Sequence, residues 1–480
     1  MLPTNLNLNL KNKRIHFIGI GGIGMSALAR YCHANGYYVS GSDKEQSGSI
    51  KDLRSEGIKN IWTPHSTNNI QGIFPDLIIY STAIENSNEE LIWAKENKKE
   101  ILHRSDLLDQ ITSSKKLISV SGTHGKTTTS GIISEMLIHS ELNPSVIIGG
   151  ILESRNTNSV IGSGDYFVIE ADESDKSFLK GNPEISIITN IEPDHLENYP
   201  GGLEEIKAAF LEFAKKAITK KGLVVCLQDK ITGELIRKNF DLNSPNLISY
   251  GINTNSPEIT LRANFNNKTN SWDVYLKQNL LFTFRLKNSG NHNVLNALAA
   301  IAVGNLMGIN LKKIKTAIEN YQGVKRRFQV ITKTNEITIV DDYAHHPTEI
   351  IATIKAAKEL CPKRLVIVFQ PHQPRRLQDF WSDFVGIFKE EDGSVFITDL
   401  YIARGGEIKG ISSKDLVWDI NKPNVNHLPG SIEEIAKHLS AFIKEGDFIL
   451  IMGAGNITDL GSKLMNLKSD TSMRFREQLI

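Results

Sequence analysis

The segment Gly122-Thr123-His124-Gly125-Lys126-Thr127-Thr128 sets two glycines, a lysine and adjoining hydroxyls in the order that holds nucleotide phosphates. In that order backbone N–H groups form a nest for phosphate oxygens, the lysine adds a point charge, and the hydroxyl after it reaches magnesium. The full G-x-x-x-x-G-K-[ST] pattern asks for glycine where Val120 stands, so the loop reads as a shortened variant. Two acidic segments each follow an apolar run: Glu170-Ala171-Asp172-Glu173-Ser174-Asp175 after Tyr166–Ile169, and Thr189-Asn190-Ile191-Glu192-Pro193-Asp194-His195 after Ile185–Ile188. Magnesium on phosphates takes oxygen ligands, usually one or two of them carboxylates, so both segments are candidate ligands.

A second anion-binding pattern lies near the N-terminus. Gly19-Ile20-Gly21-Gly22-Ile23-Gly24 matches G-x-G-x-x-G, and Asp43 follows about 20 residues later. Gly19, Gly21, Gly22 and Gly24 would let backbone amides approach a diphosphate at a helix N-terminus, with Asp43 on a ribose hydroxyl. NAD or FAD would satisfy the pattern, and so would UDP.

Loops of both kinds need a strand to enter and a helix to leave. Arg14–Ile20 is apolar and β-branched before its glycines and Met25–His33 has a helical composition; Leu117–Val120 and Thr127–Ser140 repeat the arrangement. A third series begins with strand-like Ile337–Val340 and continues through Leu365–Phe369, Val395–Thr398 and Phe448–Met452, with a helix expected over Thr348–Leu360. Between Gly222 and Leu286, pieces such as Ile259–Ala263 and Trp272–Leu276 read as antiparallel strands packed on the central domain. The expected fold class is α/β in three domains: N-terminal Rossmann-like (1–113), central P-loop ATPase-like (114–328) and C-terminal Rossmann-like (329–480).

Composition narrows the partners. With 480 residues the chain is too long for a single core. Its 55 basic and 54 acidic residues leave a net charge of +1, so no global field draws nucleic acid or an anionic membrane. Cys32, Cys226 and Cys361 lack CxxC spacing and are expected buried and reduced. Met1–Lys13 does not read as a signal peptide and no apolar run reaches about 20 residues, so no membrane insertion and a cytoplasmic location are expected.

GTHGKTTT, EADESD, TNIEPDH, Gly290–Ala300 (GNHNVLNALAA), the Arg326-Arg327 pair and Val340–Glu349 (VDDYAHHPTE) occur in one order along the chain. Together they resemble the Mur ligase family, over nearly the whole chain. The HG before KT, EADESD and DDYAHHP are similar to its L-alanine-adding branch. The resemblance implies ATP-dependent ligation of L-alanine to the lactyl carboxylate of UDP-N-acetylmuramate in peptidoglycan synthesis, with ATP as co-substrate and Mg2+ as cofactor, in a monomer or homodimer. By the same resemblance the N-terminal glycines and Asp43 take the UDP sugar, and Gly122 to Thr128 take ATP, with Lys126 on its β/γ-phosphates. Thr127 and Glu170 would hold magnesium, and His195 a second metal near the acceptor. Asn293 and Asn296 would sit on the nucleotide, Arg327 near its phosphates and Asp342 on its ribose. Asn293 and Asn296 also suit a helix start beside an Ala-rich core.

The run Gln370-Pro371-His372-Gln373-Pro374-Arg375-Arg376 follows Leu365–Phe369 at a strand's C-terminal edge, where open α/β sheets bind ligands. A guanidinium fork suits a carboxylate, so Arg375 or Arg376, with His345 or His346, is the candidate amino-acid site. Two features depart from the family: the modified lysine that holds a second metal in its later-acting members is not assignable, and Asp399–Gly410, with Arg404-Gly405-Gly406, differs from the expected acidic-aromatic text. The alternatives are a wall-recycling ligase that adds a preformed peptide to the same nucleotide, a nicotinamide oxidoreductase, which leaves the GKT loop unexplained, and a nucleotide-regulated binding protein. Read as an exposed charge in an anion site, Lys126 is expected to be essential for turnover but dispensable for the fold.

Overall fold

The computed structural model describes residues 13–287, 290–333, 337–360, 362–402, 406 and 408–467, with Glu197 by its backbone alone. Cys361, the Arg404-Gly405 pair, the residues up to Asn12 and the polar stretch from Lys468 lie outside the described residues.

Strands β1 (Arg14–Ile18), β2 (Tyr38–Ser42), β3 (Ile61–Trp62), β4 (Leu77–Tyr80) and β5 (Glu100–His103) form a wholly parallel sheet ordered β3-β2-β1-β4-β5. Parallel strands are covered on both faces, which is why they carry unbroken apolar text; Ile15, Phe17, Ile18, Leu77, Ile78 and Ile79 are fully buried. The strand order reverses at β1, so the turn that follows it opens into the crevice where such sheets bind ligands.

The second sheet has ten strands: β6 (Lys116–Ser121), β7 (Ser145–Leu152), β8 (Thr157–Val160), β9 (Tyr166–Glu170), β10 (Ile185–Ile188), β11 (Gly222–Cys226), β12 (Leu247–Ile252), β13 (Leu261–Asn266), β14 (Ser271–Leu276) and β15 (Asn279–Phe284). Their order is β15-β14-β13-β12-β11-β10-β6-β9-β7-β8. The pieces expected to pack on the central domain instead extend its sheet. β13 pairs parallel with β12, and only β14 and β15 continue antiparallel beyond it. The edge of β12 would otherwise expose a row of unpaired amides and carbonyls.

Both sheets belong to one compact unit, which runs to Lys287 and includes Asn291–Gln322. The helix Ile23–Ala34 packs on β7 and β8. Buried Asn158 on β8 ties it there, donating from Nδ2 to Ile23 O at 2.7 Å and accepting from Arg30 Nη1 at 2.7 Å.

The other compact unit holds Gly323 onward. Its strands are β16 (Gln329–Lys333), β17 (Ile337–Asp342), β18 (Arg364–Phe369), β19 (Ser394–Thr398), β20 (Val425–Leu428) and β21 (Asp447–Met452), ordered β16-β17-β21-β18-β19-β20, with only edge β16 antiparallel. Alternate residues serve opposite faces, as the strand period demands. Leu365, Ile367 and Phe369 join Ile350 and Phe384 in one cluster, whereas Val366 and Val368 join Ile435 and Leu439 in another.

Free Cys32 and Cys226 are buried, and burial pushes their thiols up to about 12 and about 11. No helix among the described residues is long and apolar enough to cross a membrane. Phe210, fully buried in the helix Gly202–Ile218, meets Phe178 at 5.2 Å between ring centroids. Phe210→Ala is expected to destabilise the chain by about 3–5 kcal/mol, seen as a lowered urea midpoint in circular dichroism.

Candidate active site

The loop leaving β6 requires glycine at two points. Gly122 has φ +135 and Gly125 φ +79; a Cβ would fall 2.1 Å from Thr189 Oγ1 at the first and 2.4 Å from Asn296 Oδ1 at the second. Asn190 braces the loop, its O accepting from Thr123 N at 3.1 Å, its Oδ1 accepting from His124 N at 2.8 Å and its Nδ2 donating to His124 O at 3.0 Å. Thr189 Oγ1 donates to His124 O at 2.6 Å, and Glu192 N donates to Thr123 Oγ1 at 2.8 Å. The TNIEPDH segment is thus a template for the phosphate loop. Asn296, 6 % exposed, accepts from Thr129 Oγ1 at 3.2 Å, with Asn293 one turn earlier on the helix Asn291–Leu306.

Lys126 is not an exposed charge. Its Nζ donates to Gly122 O at 2.6 Å, Thr123 O at 3.0 Å and Glu173 Oε1 at 2.9 Å, and its side chain is 15 % accessible. Burial works to lower the lysine pKa, but Glu173, Glu170 and Asp172 outweigh it and hold the ammonium above its ordinary range. Glu170 closes β9 with Oε2 accepting from Gly149 N at 2.9 Å, and Thr127 is buried in the first turn of the helix Lys126–His139. A hydroxyl and a carboxylate are oxygen donors of the kind magnesium takes, so this pair fits the metal. His195 has left-handed backbone, φ 56, and its Nε2 stands 3.5 Å from Asp194 Oδ2.

At the glycine turn the acid expected on a ribose hydroxyl supports the turn itself. Asp43 Oδ2 accepts from Gly21 N at 2.7 Å, and a Cβ on Gly21 would stand 2.8 Å from that oxygen. Ser42 O accepts from Gly19 N at 2.8 Å and Ile20 N at 3.0 Å, and Gly22 N donates to Gly19 O at 3.2 Å. A Cβ on Gly24 would lie 3.3 Å from Arg104 Nη1. Sequence reasoning missed Arg104, which belongs to no motif. It donates to Asp172 Oδ2 at 3.0 Å and lies 3.9 Å from Asp175. Burial would raise the Asp172 pKa, but Arg104 and then Lys126 hold it down to about 2.

Within the other unit, Asp342 at the end of β17 accepts from Phe328 N and Ala344 N, each at 2.7 Å, and burial pushes it up to about 6. The Arg326-Arg327 pair divides its work. Arg326 Nη2 donates to Gly453 O at 2.6 Å, while Arg327 Nη1 lies 3.4 Å from Glu349 Oε1 with its guanidinium over Tyr343. His345 Nδ1 stands 2.9 Å from Tyr343 O, and burial drives its pKa down to about 4. His346 packs edge-on against Phe380 at 4.5 Å. The two later arginines also part: Arg375 is 71 % exposed and paired with Asp379, whereas Arg376 turns inward with Nη1 3.3 Å from His372 Nδ1. Arg376 Nε is buried and has no partner among the described residues. His372 stacks on Tyr401 and faces His345.

Because Lys126 and Glu173 are buried together, Lys126→Ala leaves an uncompensated carboxylate. We expect it to abolish turnover and also to destabilise the chain by about 3–5 kcal/mol. Adding Glu173→Gln is expected to restore the melting temperature without restoring product formation.

Three family models match successive parts of the chain. The Mur ligase family, catalytic domain, matches residues 14–116; the Mur ligase middle domain matches 120–304; and the Mur ligase, glutamate ligase domain, matches 326–455. The UDP-N-acetylmuramate–L-alanine ligase of Dictyoglomus turgidum is 40 % identical over 95 % of this chain and 97 % of its own. That of Geobacter sulfurreducens is 37 % identical over the same shares. The crystal structure of the UDP-N-acetylmuramate-alanine ligase from Thermotoga maritima superposes with a TM-score of 0.81 at 30 % identity, covering 96 % of this chain and 100 % of that one. A murein peptide ligase from Psychrobacter arcticus shares the fold, with a TM-score of 0.71 at 24 % identity over 95 % of this chain and 98 % of that one. The chain belongs to the Mur ligase family.

Proposed function

We propose that this chain joins L-alanine to the lactyl carboxylate of UDP-N-acetylmuramate at the expense of ATP, an early step of peptidoglycan synthesis. The observation that carries the reading is the match to L-alanine ligases over 95 % of the chain, through all three sheets. Residues 1–113 take the UDP sugar, 114–328 take ATP and 329–480 take the amino acid. The enzyme works in the cytoplasm as a monomer or homodimer.

A carboxylate and an amine do not condense in water without activation, so the lactyl carboxylate first accepts the γ-phosphoryl group as an acyl phosphate. The amine of L-alanine then attacks the carbonyl carbon, and the tetrahedral intermediate expels phosphate. Transfer of this kind is governed by positioning and charge neutralisation. Lys126 supplies a fixed positive charge at the β/γ-phosphates, and the nest from Gly122 to Thr128 supplies N–H donors. Thr127 and Glu170 would hold magnesium, which when bound would further neutralise phosphate charge, and His195 would serve a second metal near the acceptor. Asn293 and Asn296 are assigned to the nucleotide, Arg327 to its phosphates and Asp342 to its ribose. The glycine turn and Asp43 hold the sugar nucleotide.

Of the two candidate arginines we assign Arg376 to the alanine carboxylate, because its buried Nε lacks a partner among the described residues whereas Arg375 is solvated and paired. His345 and His346 flank this site. His345, kept neutral by burial near pH 7, leaves the positive charge to the arginine.

Release of ADP with UDP-N-acetylmuramate is expected to depend on L-alanine and not on the wall tripeptide; the converse would reassign the chain to wall recycling. Arg376→Ala is expected to raise the alanine requirement roughly ten- to a hundredfold, as loss of a charge-assisted pair would, with ATP affinity unchanged. Arg375→Ala is expected to leave both near wild type. Steady-state kinetics with each substrate varied in turn checks all three.

A further inference from the structure

A buried ionic cluster lies behind the glycine turn, outside the chemistry described above. Glu90, in the helix Glu89–Glu96, is fully buried, as is His16 on β1. One oxygen, Oε2, accepts from the Ser42 hydroxyl and lies 3.3 Å from His16 Nε2 and 3.8 Å from His65 Nδ1. The other, Oε1, accepts from Ser66 N at 2.9 Å and from Asn69 Nδ2 at 3.1 Å. Ser42 Oγ is 2.8 Å from His65 Nδ1, and His16 Nδ1 is 3.0 Å from Ser40 Oγ. Burial would raise the Glu90 pKa, but hydrogen bonds from His16, His65 and Ser42 outweigh it and keep the carboxyl far below the usual range.

An ionised carboxylate inside a domain is costly, and an apolar side chain would fill the same space. What it supplies is direction, since a fully satisfied polar network permits one arrangement of its members. Ser42 ends β2, and its carbonyl receives the amides of Gly19 and Ile20; the next residue, Asp43, receives that of Gly21. His16 lies on β1, three residues before Gly19. The strand that enters the turn and the neighbouring strand that braces it are therefore both fastened to one carboxylate.

We propose that Glu90 is a positioning residue for sugar-nucleotide binding, acting through Ser42 on the backbone of the Gly19–Gly24 turn. This rests on the reading that the turn takes the UDP sugar. Glu90→Gln removes the charge and leaves one carbonyl oxygen for groups that now face two carboxylate oxygens, so the turn loses part of its template while the side chain keeps its volume. The KM for UDP-N-acetylmuramate is expected to rise roughly ten- to a hundredfold, with the KM for ATP within about twofold and the fold retained by circular dichroism. Should Glu90→Gln fail to fold, Ser42→Ala, which removes one hydroxyl, is expected to show the same split to a smaller degree. A folded variant with wild-type KM for the sugar nucleotide, or with equal rises for both substrates, overturns the proposal. Calorimetry of UDP-N-acetylmuramate on the wild-type chain separates the two levels. Failure to bind there sinks the reading of the turn and the proposal with it; wild-type binding retained by Glu90→Gln sinks the positioning role alone.

Discussion

Burying the ammonium of Lys126 sets conditions that much of the central domain meets. A charge enclosed in protein needs hydrogen bonds and a counter-charge; here two loop carbonyls and Glu173 supply them. Glu173 must then be fixed, and Tyr199 is fully enclosed with its hydroxyl on the Glu173 carbonyl at 2.5 Å. The carbonyls must be turned inward, which the left-handed glycines permit and Asn190 enforces. The segments EADESD and TNIEPDH, both remote in sequence from the loop at Gly122–Thr128, are answers to one electrostatic problem.

This bears on how a chain with a net charge of +1 handles polyanionic nucleotides. Its acids do not simply ligate. Asp43 takes the amide of Gly21, Asp342 takes two backbone amides, and Asp172 fastens Arg104. Carboxylates used in this way shape backbone turns, and nests of backbone N–H groups are a general means of binding anions without a basic surface.

Much of this was legible in the sequence because phosphate loops need particular residue types at fixed offsets. Gly122, Gly125 and Gly21 stand where a Cβ would collide, and the strands on both sides carried their burial as unbroken apolar text. Tertiary pairing was not legible. The burial of Lys126 depends on Glu173, 47 positions away, and Arg104 acquires its partner at a separation of 68. Nothing local distinguished Arg375 from Arg376, because neighbouring positions on a helix start point in different directions only once the helix is placed. The strand expected at Ile259–Ala263 is antiparallel to β14 as expected and also parallel to β12, for a related reason: alternating text shows that a strand has two unlike faces, and leaves open what each edge pairs with.

Asn158 carries a consequence for recombination among relatives. It joins the helix behind the glycine turn to β8, and Tyr31 meets Phe167 on β9 at 5.4 Å, so two sequence modules share one continuous interior. A chimaera cut between those modules would leave unmatched side chains facing each other across a buried seam. A crossover near Gln322–Gly323, where the compact units divide, leaves that seam intact. The first two sequence modules are therefore constrained to travel together when family members exchange parts.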